Sequence, residues 1–179
     1  MHVNTKKLAV SGLLMALAVV LIILSGVLDF NTLFFLAAAA FFVGIIIQEF
    51  NLRYGVAFFV GCLLLGFILA PQKLYCITYG MMGVYVLAVE GLWQYLGRHD
   101  RLKGRKLIFH IGKFVVFNLM YLPALLLFPG LLFAGEISGR MLLIFWLGGQ
   151  AALFVFDRAY EYFLIRMWGQ IREKLFGRG

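Results

Sequence analysis

Charge is scarce in this chain of 179 residues: 13% are Asp, Glu, Lys or Arg, about half the share of an ordinary soluble domain. Acids are the scarcer sign, eight against sixteen Lys and Arg, and there are only three prolines, three histidines and two cysteines. Each shortage excludes something. Few charges beside 64% hydrophobic residues exclude a soluble globular enzyme and a disordered tail. Two cysteines exclude a disulfide-stapled secreted domain. Cys62 and Cys76 both fall in apolar stretches and form no CxxC or Cys/His cluster, so they read as small buried apolar residues and no metal site is expected. The histidines, His2, His99 and His110, offer no axial pair for a haem. HExxH, GxSxG and P-loop patterns are missing, and no two spans supply the acids of an aspartyl protease. Neither catalysis nor a cofactor is expected, and any ATP-driven role must borrow its motor from another subunit.

What is present is a succession of apolar runs. A spanning helix needs about 20 apolar residues, so six use about 120 positions and leave no room for a water-soluble domain. The runs fall at approximately 8–28, 32–47, 54–70, 74–96, 107–128 and 141–157. The first exceeds the roughly 7–15 apolar residues of a signal peptide and is followed by no small-x-small cleavage pattern, so it reads as an uncleaved span. Along 158–176, Tyr160, Leu164, Met167, Trp168, Ile171 and Leu175 recur at helical spacing, with Arg158, Arg166, Gln170, Glu173 and Lys174 mostly on the other side. That pattern predicts an amphipathic continuation of the last helix, lying in the headgroup plane. The fold class expected is all-α: one polytopic transmembrane domain of six helices with an amphipathic C-terminal extension.

Six spans put both ends on one side of the bilayer. Thirteen of the sixteen basic residues then share the side of the termini, while only Lys73 and Arg140 face the other and Lys113 lies within a span. The positive-inside rule makes the side of the termini cytoplasmic, in a bacterial cell membrane. The net charge of +8 is thereby accounted for by topology, and the lipid bilayer, not nucleic acid, is the expected partner.

An ionisable group inside a span costs about 2.5–3.5 kcal/mol on insertion scales and needs a partner or a task. Glu90 and Lys113 lie 11 residues before and 12 after Arg101, so an antiparallel hairpin of spans four and five brings them to similar depth. A structural ion pair, a Lys113 that snorkels alone, or a coupling role are the readings open to them. On the outer side the few polar groups are Asp29, Asn31, Gln72, Lys73, Tyr75, Tyr79, Glu136 and Arg140. Either they end helices and meet water, or they line an outward cavity for a small-molecule ligand. Lys73, beside Tyr75, is the best single candidate and suits a carboxylate or phosphate. On span one, Ala9, Gly12 and Ala16 lie on one face; the small-xxx-small pair Gly12/Ala16 permits close approach by another helix, from within the chain or from a partner.

Six spans in under 200 residues, cytoplasmic ends, the start Thr5-Lys6-Lys7-Leu8-Ala9 and the small-residue face of span one resemble the S components of energy-coupling-factor transporters. The resemblance covers the whole chain as topology and 8–20 as motif, with Gly12 where that family has alanine. It implies a protein that binds a vitamin or other micronutrient between the outer helix ends and docks by Ala9, Gly12 and Ala16 on a transmembrane coupling subunit driven by two ATPases. The MreD-like rod-shape-determining proteins are similar in size and topology; that likeness implies instead a scaffold subunit of a cell-envelope complex, without a small ligand.

Overall fold

The structure, a computed structural model, describes residues 5–28, 31–98, 104–127 and 139–176. Asp29 and Glu136 lie outside the described residues. Within them all regular structure is helical: α1 (Thr5–Val27), α2 (Thr32–Glu49), α3 (Leu52–Leu69), α4 (Lys73–Arg98), α5 (Arg105–Leu127), α6 (Gly139–Tyr162), a π-helical turn (Phe163–Trp168) and α7 (Gly169–Phe176). Six helices are long and apolar enough to cross a membrane, the sixth candidate running without a break from Gly139 to Lys174. The protein is therefore multi-pass.

Local chemistry sets the helix ends. Asn51 caps α3, its Oδ1 accepting from the amides of Arg53 (2.9 Å) and Tyr54 (3.2 Å), which are donors the first turn would otherwise leave unpaired. Ala70, extended at φ −72° and ψ 137°, ends α3 because the residue before Pro71 is pushed out of the helical region. Gly104 takes φ +83°, a backbone that side-chain-bearing residues resist, and its carbonyl accepts from Ile108 (3.1 Å) to open α5.

The described chain forms two compact units. The first comprises Met1–Gly91 with Tyr162–Gly179, the second Leu92–Glu161. In the first unit α2 is the central helix: Ala39, Ala40 and Val43 are wholly buried and all of 39–47 is buried. A helix apolar on every face belongs inside a bundle. Against it, α1 turns Leu14, Ala18, Ile22 and Ser25 inward, all at most 8% exposed. Small residues permit close approach. A methyl at Gly66 would meet Ile22 at 3.1 Å, and one at Gly83 would overlap the Phe59 ring. Phe163, in the π-helical turn, sets its ring 5.4 Å from that of Phe41.

The second unit holds α5, most of α6 and the end of α4. Trp93 sets its ring 5.0 Å from that of Phe109 at a tilt of 58°, and Arg105 reaches back to the Leu96 carbonyl at 2.5 Å. Large apolar side chains point outward from both units, among them Leu119 (74% exposed) and Ile165 (75%). Apolar surface this widespread suits lipid and not water.

Candidate functional site

The outer polar residues begin with the turn from α3 to α4. Lys73 turns its ammonium back onto the last carbonyls of α3, donating to Phe67, to Ala70 (3.0 Å) and to Ile68 (3.4 Å). A cation on unpaired C-terminal carbonyls is a favourable helix cap. Gln72 is exposed and Tyr75 half-buried. Asn31, the left-handed residue (φ 63°) that opens α2, is also exposed. Arg140 is exposed on α6, in the other unit.

Tyr79 is different. Six residues after Lys73, and so about 9 Å deeper along the helix, its side chain is wholly buried against the Phe59 ring, centroids 5.7 Å apart. Among the described residues its hydroxyl has no oxygen or nitrogen hydrogen-bond partner and meets the weakly bonding thiol of Cys62. A buried hydroxyl without a strong partner marks a place where a further polar atom is wanted.

The small-residue face of α1 is open. Ala9, Gly12 and Ala16 are exposed, and among the described residues a methyl built on Gly12 would meet nothing within 4 Å. At about 100° per residue this face lies roughly half a turn from Leu14, Ala18, Ile22 and Ser25, which enter the unit's interior. One side of α1 packs into its unit and the other is left available.

Lys113 is 5% exposed and bonds two acids of α6: its Nζ lies 2.8 Å from Asp157 Oδ2 and 2.9 Å from Glu161 Oε1. The Phe109 ring covers the ammonium at 4.5 Å, and Arg158 adds a weaker contact to Glu161 at 3.4 Å. Glu90, one candidate partner offered by the sequence, is half-buried on α4 in the first unit. The acids at i and i+4 on one face of the last span were the signal for the partners found here. Deeper along α5, Asn118 Oδ1 accepts from Trp146 Nε1 and Gln150 Nε2, both at 3.0 Å. Tyr121 then donates to the Phe145 carbonyl at 2.8 Å. Partners rise along α5 as they fall along α6, as antiparallel helices require, so the polar groups form a ladder between the two. Amides within spans five and six could have suggested it from sequence.

A second ionic centre closes the first unit. Glu49, its side chain 5% exposed, ends α2 and binds Lys7 of α1 (3.1 Å) and Arg172 of α7 (2.6 Å), and accepts from Trp168 Nε1 at 3.2 Å. Lys7 also donates to the Glu49 carbonyl at 3.0 Å. One carboxylate thus ties three chain segments together.

No family model matches the chain, and no curated protein or solved structure matches it either. Geometry alone must carry the functional reading.

Proposed function

We propose that the chain is a substrate-binding membrane subunit of the S-component kind, lying in a bacterial cytoplasmic membrane with both termini inside. It takes a small solute from the outer face and delivers it through a separate, ATP-driven coupling subunit docked on α1. The observation that carries this reading is the open face of Ala9, Gly12 and Ala16: with no side chain to fill the space above Gly12, a second helix can approach to backbone distance. The buried hydroxyl of Tyr79, met by the Cys62 thiol and by no stronger partner among the described residues, supports a ligand site below the outer helix ends, because a polar atom of a bound solute would satisfy it better. Co-purification in mild detergent followed by mass spectrometry tests both halves. A coupling subunit and a small molecule should accompany the wild-type chain. Gly12→Leu/Ala16→Leu should lose the subunit, and Tyr79→Phe should weaken solute retention while leaving the subunit bound. Retention of the subunit by the double variant would end the docking role of this face.

A second reading has its own support. The Lys73 ammonium is engaged by three α3 carbonyls, which favours a scaffold subunit that docks a cell-envelope complex by the same α1 face and carries no ligand. Under that reading the partner still co-purifies, no solute does, and Tyr79→Phe changes nothing but stability.

A further inference from the structure

At the Glu49 centre two cations, Lys7 and Arg172, meet one carboxylate. Arg166, Arg172 and Lys174 are exposed on the π-helical turn and α7, as is Glu173. Between these basic groups stand exposed apolar side chains, Ile165 (75%), Met167 (49%) and Ile171 (45%). Arg172 is held by its Nε on Glu49 while its side chain stays 59% exposed, so the rest of its guanidinium N–H donors sit in a fixed direction at the surface. A guanidinium held in place by a second bond is a preorganised receptor for phosphate oxygens. Exposed apolar groups flanking it suit acyl chains rather than water.

We propose that Arg172, oriented by Glu49, binds the phosphate of an anionic phospholipid in the leaflet on the side of the termini. The C-terminal segment is then fastened to the bundle by Glu49 and Trp168 and to the membrane by that headgroup. Surplus positive charge at the membrane surface fits the anionic leaflet, and this rests on the orientation proposed above only for which leaflet is meant.

The test is made on the full chain in neutral detergent, where orientation plays no part. The unfolding midpoint is followed while phosphatidylglycerol or phosphatidylcholine is titrated in. Phosphatidylglycerol should raise the midpoint of the wild type well beyond phosphatidylcholine, and Arg172→Gln should need about fivefold more of it for the same shift. Arg172→Lys, which keeps the charge and loses the oriented planar fork, should weaken the response as well and keeps the test open if Arg172→Gln folds poorly. Arg53→Gln, a cation at the start of α3 outside the cluster, should respond as wild type. Equal shifts from the two lipids, or an equal loss with Arg53→Gln, would overturn the site. A matching shift from inorganic phosphate alone would overturn the lipid as its occupant.

Discussion

In the first unit α2 is buried on every face along 39–47, and α1 and α3 meet it through alanine, glycine and branched apolar side chains. In the second, α5 and α6 are joined by Lys113, Asn118 and Tyr121 reaching to Asp157, Glu161, Gln150, Trp146 and a backbone carbonyl. Lipid is as apolar as leucine, so burial gives membrane helices little reason to associate. What remains is close packing between small residues or hydrogen bonds between polar ones. Close packing predominates in the first unit, which adds the Glu49 ionic centre at its end, and the polar ladder is the distinguishing device of the second. Close packing fails when volume is added; a polar ladder fails when one rung's partner is removed.

The largest loss should come from the ladder's ionic end. Lys113→Met removes the buried cation that Asp157 and Glu161 share and leaves Glu161 the weaker Arg158 contact, at an expected cost of about 3 kcal/mol, the lower end for breaking a buried ion pair because Glu161 keeps access to water. Unfolding in mixed micelles should show it, and Lys113→Met/Asp157→Leu should recover part of the loss. If the single variant unfolds like wild type, the ion pairs do not hold α5 to α6. Next, in the first unit, Gly83→Ala forces a methyl into the Phe59 ring and should cost about 2 kcal/mol by overpacking. Should Gly83→Ala prove neutral, α3 and α4 are not in close packing there. In the middle of the ladder, Asn118→Leu removes the acceptor for Trp146 and Gln150. Its expected cost is near 1 kcal/mol, since interhelical hydrogen bonds in membranes are modest. A loss as large as that of Lys113→Met would mean that the ladder acts as one cooperative network.

Much of the first unit was legible in the sequence because hydrophobic runs and their polar breaks register length and composition directly. The six apolar runs reappear as helices suited to spanning, and the last continues through Phe163–Trp168 as the periodicity of Leu164 and Trp168 implied. Pairing was not legible. Counting along the spans offered Glu90 as one candidate partner of Lys113 by depth, but gave no hint of the α6 acids, 44 and 48 residues away, that its ammonium bonds. Depth is fixed by counting along a helix, but which helix stands alongside depends on packing that no local pattern encodes. Lys73 shows the same limit. Sequence presented it as an outer cation awaiting an anion, and only the geometry of the α3–α4 turn reveals the carbonyls within its reach. Glu49 read as a helix end, and its buried role needs Arg172, a residue from the far end of the chain.

The smallest effect expected is also the sharpest test of the contrast within α1 itself. Its inward face carries Ala18 at 0% exposure, while Gly12 on the opposite face has nothing within 4 Å. Gly12→Ala should therefore cost nothing in the isolated chain and stabilise it by up to about 1 kcal/mol, through the better helix propensity of alanine. Ala18→Leu, one residue type up on the packed face, should destabilise by about 1–3 kcal/mol because the added volume has nowhere to go. Measured side by side in detergent, the two variants should shift the unfolding midpoint in opposite directions. If Gly12→Ala lowers it as Ala18→Leu does, the face carrying Ala9, Gly12 and Ala16 is occupied within the chain. A helix from another subunit then has no place there, and the docking role proposed for α1 falls with it.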